Sequence, residues 1–266
     1  MPLRVAVDGG IARVTIDHPP TNLLDLELIL AFDHVGKELE ADDAVRVVVV
    51  ESADPEIWVA HADVGLILEM PDDAAVPVRM GFVHSSFDRF RTMPKATIAV
   101  VDGVARGGGS ELALSMDMRF GAVGRTVLGQ PESLLGIIPG GSATQRLPRL
   151  VGRGRALEAM LGGGDVDAVT AERWGWLDRA LPPAELRPFV DDLARRIASA
   201  PPEVVAEIKR CVDLSLGPVE PGLIEEGAAF HRIATGAEAR GRMRAFLERG
   251  GQRRDVELRG GGFGPG

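Results

Sequence analysis

Residues 97–114 read TIAVVDGVARGGGSELAL. A β-branched run ends at Val101, three glycines follow, and an apolar run with helical spacing begins near Ser110. The pattern predicts a buried strand that leads through a bare loop into a helix. The loop does not match a phosphate cradle. A Walker-type loop needs Lys-Ser or Lys-Thr after its last glycine, and here Gly109 precedes Ser110 and Glu111. The G-x-G-x-x-G spacing is missing. A nucleophile elbow fails too, because Leu112 stands where its second glycine belongs. Two uses remain for Gly107-Gly108-Gly109. One is a plain tight turn. The other is a set of backbone N–H groups at a helix N-terminus, facing a developing negative charge.

Strands and helices alternate outward from this segment. Residues 5–7 and 13–16 flank Gly9-Gly10 and read as a hairpin. Leu28, Phe32, Val35 and Leu39 recur at spacings of three and four and predict a helix over 26–39. Residues 45–50, VRVVVV, have the pattern of a strand buried on both faces. A helix is expected over 78–90, and short strands over 118–121 and 126–128. Beyond Pro182 the signals become helical, over 186–199, 202–216, 221–233 and 238–249, with prolines near several starts. The expectation is an α/β core over 1–200 with a helical part over 201–266. The final RGGGFGPG has the composition of a frayed tail.

Composition narrows the function. The chain has 266 residues, 45% of them hydrophobic, and a formal net charge of -9. Lysine and arginine are scattered, which argues against a nucleic-acid surface. Cys211 is the single cysteine, so there is no internal disulfide and no multi-cysteine metal site. His18, His34, His61, His84 and His231 show no metal-ligand spacing, and no metal is expected. No apolar run is long enough to span a bilayer and no signal core opens the chain, so a cytoplasmic location is expected.

Two glutamates stand in unusual settings. Glu111 follows the glycine run, and Glu132 follows Pro131 within the apolar stretch LGQPESLLGIIPGG. Each reads either as a first-turn acid complementing a helix dipole or as half of an acid–base pair. His61, within VAHADV, reads as an ordinary loop histidine or as a group near a site.

Three segments, WVAHADVGLI, VDGVARGGGSELALSMD and LGQPESLLGIIPGGSATQRLPRLVG, resemble in order and spacing the enoyl-CoA hydratase/isomerase (crotonase) superfamily. ARVTIDHPPTNLLD, AVTAERWGWLDRAL and RMRAFLER extend the resemblance over nearly the whole chain. It implies a spiral of repeated β-β-α turns with a helical C-terminal part, assembled as a homotrimer or dimer of trimers. It also implies an acyl-CoA thioester substrate, with coenzyme A as part of the substrate and no separate cofactor. By position, the amides of Ala62 and Gly108 match the family's oxyanion hole. Ala60, Asp63, Val64 and Gly65 match the loop that follows coenzyme A, and Gly140 matches a cavity glycine.

The hydratases of the superfamily keep both glutamates, and Glu111 and Glu132 match that pair. The resemblance therefore implies hydration of a short or medium trans-2-enoyl-CoA. The two glutamates hold the water, one acts as base while oxygen attacks C3, and Glu132 delivers the proton to C2. Alternatives within the same fold are a thioester isomerase or dehydratase of a specialised pathway, or an acyl-CoA-binding member without turnover. Pocket walls are expected from residues 66–70 and the helix near Phe87. Two departures stand out: His61 replaces the glycine usual before the oxyanion residue, and one extra residue separates the glutamates, within GAVGRTV.

Overall fold

The computed structural model describes residues 2–71, 79–214 and 220–259. Strands β1 (Leu3–Asp8) and β2 (Ile11–Ile16) form the expected antiparallel hairpin. Helix α1 (Leu26–Ala41) begins where the Asp25 side chain accepts from the Leu28 amide at 2.9 Å, an N-cap. The periodic residues Leu28, Phe32, Val35 and Leu39 are all buried.

Strands β3 (Val47–Ser52) and β4 (Ile57–Val59) follow, then α2 (Val64–Leu68) and α3 (Phe82–Thr92). The expected start of α3 at residue 78 lies outside the described residues. Next come β5 (Ala96–Val101), β6 (Val104–Arg106), α4 (Gly108–Leu114), β7 (Met118–Ala122) and β8 (Val127–Gly129). A 3-10 turn, Glu132–Leu135, leads to α5 (Ala143–Val151), α6 (Arg153–Gly162), β9 (Val166–Asp167), α7 (Ala168–Trp174) and β10 (Arg179–Leu181). The remainder is helical: α8 (Pro183–Ala198), α9 (Pro202–Leu214), α10 (Glu220–Ala234), α11 (Ala237–Glu248) and α12 (Arg254–Glu257). The expected end of α9 at 216 and the tail from 260 lie outside the described residues.

The strands form two sheets. The six-stranded sheet runs β1-β2-β3-β5-β7-β10 and is parallel beyond the hairpin. The four-stranded sheet runs β4-β6-β8-β9. The pairs β3/β4, β5/β6 and β7/β8 repeat one step. The first strand joins the larger sheet, the second joins the smaller, and helix returns the chain. This is the spiral of β-β-α turns.

The valine run of β3 shows why the larger sheet is two-sided. Val48 and Val50 pack into one core with α1 and Trp58, whereas Val47 and Val49 pack into another with Leu186, Val190 and Ala194 of α8. All four valines are fully buried, each contributing roughly 1.5–3 kcal/mol. Because α8 fills this second core, the helical C-terminal part begins by completing the α/β core.

The glycine run differs from expectation in one respect. Helix α4 starts at Gly108, so Gly108 and Gly109 form its first turn instead of preceding it. Gly107 caps it with φ +46°, a conformation that L side chains rarely adopt. A Cβ on Gly109 would lie 2.2 Å from the Val59 carbonyl oxygen, so α4 packs on β4 only as bare backbone.

Candidate active site

A cavity of about 460 Å³ opens where the two sheets' loops meet α4. Ala62, Asp63, Gly108, Glu111, Glu132 and Gly140 all line it, although they come from four separate loops or helix starts. Leu66, Ile67, Met70, Val83 and Phe87 form its apolar side, as expected for 66–70 and the helix near Phe87.

Ala62 is placed by short parallel pairing with Leu24: Leu24 N–H donates to His61 O (2.9 Å) and Asp63 N–H to Leu24 O (3.0 Å). Gly108 sits directly opposite. A Cβ built on it would be 3.1 Å from Ala62 Cβ and 3.2 Å from Ala62 N. Among the described residues, neither the Ala62 nor the Gly108 N–H has a hydrogen-bond partner. Two adjacent unpaired amides at the edge of a cavity form a donor pair for one acceptor oxygen.

Glu111 and Glu132 are both buried. Glu111 Oε1 accepts from Gly141 N–H (2.8 Å), Ser142 N–H (2.9 Å) and Ala143 N–H (2.9 Å), the amides that lead into α5. Three donors at a helix start complement a negative charge and fix the carboxylate's orientation. Glu132 opens the 3-10 turn after Pro131. With its amide oriented to donate, Gln130 reaches Glu132 Oε1 at 3.2 Å and Oε2 at 3.1 Å. A Cβ on Gly107 would stand 2.8 Å from Glu132 Oε1, so the glycine run also makes room for this carboxylate.

The segment GAVGRTV, between the glutamates, leads into the strand that delivers Glu132. The chain turns at Gly124 (φ +78°), and β8 then pairs in parallel register with β6, Arg106 opposite Gly129. Glu132 follows three residues after that pairing, so its place is set by the sheet.

Ala60, Val64 and Gly65 lie in the same loop but are not cavity-lining residues. The Ala60 carbonyl accepts from Arg106 N–H (3.0 Å), Val64 packs into a core with Leu135 and Phe246, and Gly65 N–H bonds the Asp63 cap (2.8 Å). Gln130, Leu24, Gly141 and Phe230 escaped sequence reading. Gln130 had a signal, its place beside Pro131-Glu132. Phe230 had none, being one apolar helix residue among many; a Cβ on Gly140 would touch its ring at 2.6 Å.

A larger cleft of about 510 Å³ lies between α9 and the six-stranded sheet, and neither glutamate lines it. Asp117 and Lys209 pair there at 2.7 Å. Burial nevertheless pushes the Asp117 carboxyl up and the Lys209 ammonium down, outweighing their mutual attraction. The smaller cavity gathers Ala62, Gly108, Glu111 and Glu132 and is the candidate site. Among the described residues there is no metal-binding group of His, Cys, Asp or Glu, and no helix is long and apolar enough to cross a membrane.

The spiral of β-β-α turns is a crotonase fold, and its cavity brings an amide pair beside two buried glutamates. The family model for enoyl-CoA hydratase/isomerase matches residues 6–253. The chain belongs to the enoyl-CoA hydratase/isomerase family. A short-chain-enoyl-CoA hydratase of Clostridium acetobutylicum is 33% identical over 245 residues, covering 91% of this chain and 93% of the relative. A putative enoyl-CoA hydratase/isomerase of Bacillus subtilis is 31% identical, covering 90% and 92%. The crystal structure of a putative enoyl-CoA hydratase from Streptomyces avermitilis superposes with a TM-score of 0.88 at 37% identity, covering 97% and 94%. The protein is thus a crotonase-type enzyme.

Proposed function

We propose that the enzyme hydrates a trans-2-enoyl-CoA to the 3-hydroxyacyl-CoA. The observation that carries this reading is that Glu111 and Glu132 line one cavity together with the Ala62 and Gly108 amides. The thioester oxygen accepts from both amides. As water oxygen attacks C3, negative charge moves onto that oxygen and meets two preorganised donors. Glu111, oriented by three amides, takes a proton from the water. Glu132 delivers a proton to C2, and the proton returns between the two carboxylates before the next turnover. One water is added across C2–C3, and nothing is oxidised or reduced. No separate cofactor takes part; coenzyme A is a portion of the substrate. Ala60, Asp63, Val64 and Gly65 are proposed to flank it, and Gly140 to line the acyl end. The apolar wall suits a short or medium acyl chain.

We also propose a homotrimer or dimer of trimers, supported by Val204, Ile208 and Val212. These exposed apolar residues recur every four positions on α9. Light scattering of the purified protein reads this directly; a monomer at micromolar concentration overturns it.

Crotonyl-CoA hydration, followed by loss of the conjugated thioester's absorbance, tests the activity in wild type, Glu111→Ala and Glu132→Ala. Full activity in both variants sinks the mechanism. A 3-enoyl-CoA run in parallel separates isomerisation from hydration.

A further inference from the structure

The last described turn of the chain is fastened to the loop that carries Ala62. His61 Nε2 lies 3.0 Å from Glu257 Oε1, and both side chains are buried. The other ring nitrogen, Nδ1, lies 2.8 Å from the Ala62 carbonyl oxygen. On the far side of Ala62, Asp63 Oδ1 accepts from Gln252 Nε2 (2.9 Å) while also capping α2 through Gly65 N–H. Glu257 Oε1 in turn accepts from Gln252 N–H (2.8 Å), which closes the circuit. The residues immediately before and after Ala62 are therefore held by one turn, 252–257.

That turn is itself anchored. Arg106 Nη1 donates to the Glu257 carbonyl (3.1 Å) while its other nitrogens grip Asp165 at 2.7 and 2.8 Å. Arg254 binds Asp54, Glu56 (2.8 Å) and the Pro20 carbonyl (3.0 Å). The ring of Phe246 meets the His61 ring edge-on, with centroids 5.6 Å apart.

The Ala62 N–H belongs to the His61–Ala62 peptide plane, so its direction follows whatever fixes His61. Leu24 holds the His61 carbonyl from one side, and the 252–257 turn holds the side chain from the other. We propose that His61 and Glu257 are positioning residues that aim the Ala62 amide at the thioester oxygen, with Gln252 as the second arm. This makes His61 a functional replacement for glycine, with rigidity drawn from the C-terminal turn. The inference rests on the role proposed above for the Ala62 amide.

Three readouts test it on the full chain: kcat and KM for crotonyl-CoA, the absorption shift of a chromophoric conjugated enoyl-CoA on binding, and hydrogen exchange of the 60–65 amides. Glu257→Ala is expected to lower kcat about tenfold or more with KM within about threefold, because a misaimed donor weakens the transition state more than ground-state binding. The bound chromophore's shift shrinks and the loop amides exchange faster. Glu257→Gln, whose amide oxygen still accepts from Gln252 N–H and the ring, recovers most of kcat. His61→Gly combined with Glu257→Ala costs no more than the worse single variant, since the two act as one unit. If Glu257→Ala does not fold, Gln252→Ala removes the partly exposed arm and carries the same test. A folded Ala variant with wild-type kcat and an undiminished shift overturns the inference. A wild type that binds the chromophore without any shift overturns the role of Ala62 instead, and loop exchange in Glu257→Ala still reports whether the clamp exists.

Discussion

Glu111 Oε1 and the Gly141 amide lie 2.8 Å apart, and the next two amides converge on the same oxygen. One carboxylate thus orders the start of α5 as well as facing the cavity. Glu111→Gln keeps a carbonyl oxygen for the three donors and should fold normally. Its hydration rate should fall about 10²–10⁴-fold, the usual contribution of a positioned acid or base. Glu111→Ala leaves buried donors without an acceptor, each costing roughly 1–3 kcal/mol, and should also melt earlier. Steady-state rates and thermal melts of the two variants distinguish chemistry from architecture.

Neighbouring glycines should respond oppositely to alanine. At Gly108 the added Cβ meets Leu24 Cδ2 at 3.0 Å and Ala62 at 3.1–3.2 Å, so it presses against the Ala62 segment and displaces the two amides from each other. Gly108→Ala should lose about 10²-fold in kcat with little change in melting temperature. Gly109→Ala drives its Cβ into the Val59 carbonyl and should lose roughly 1–3 kcal/mol of stability, or fail to fold.

Phe230 walls the cavity beside Gly140. Phe230→Ala lengthens the cavity at that wall. The ratio of kcat/KM for an eight-carbon over a four-carbon enoyl-CoA should rise, by about tenfold if the extra chain gains roughly 1–3 kcal/mol of contact. An unchanged ratio removes Phe230 from the specificity wall.

Acid should loosen the C-terminal turn. Burial tends to raise the Asp54 carboxyl, but hydrogen bonds from Arg254 and the Glu56 and Ile57 amides prevail and hold it below its ordinary 3.8. A depressed folded value stabilises the protein above pH 3.8, and that contribution disappears as pH falls through the folded value. Asp54→Asn should therefore be less stable than wild type at neutral pH, the gap shrinking below pH 3.8. Melts across pH 3–7 measure it.

The fold was legible because its core elements carry strong periodicities. The alternate valines of β3 face two cores, which is why they read as an unbroken apolar run, and the spacing of Leu28, Phe32, Val35 and Leu39 names the buried face of α1. Helix α4 starts two residues before its apolar periodicity, because glycine carries no helical signal, and only bare backbone fits there beside Val59. The glutamates and glycines of the cavity announce themselves by odd settings. The link from His61 to Glu257 spans 196 residues and obeys no local pattern, so only the folded chain reveals it.

The contact between Phe230 and Gly140 also joins distant parts of the sequence. Ala62, Gly108, Glu111 and Glu132 all precede α10, which begins at Glu220 and carries Phe230. One wall of the cavity thus comes from a helix that begins 88 residues after Glu132.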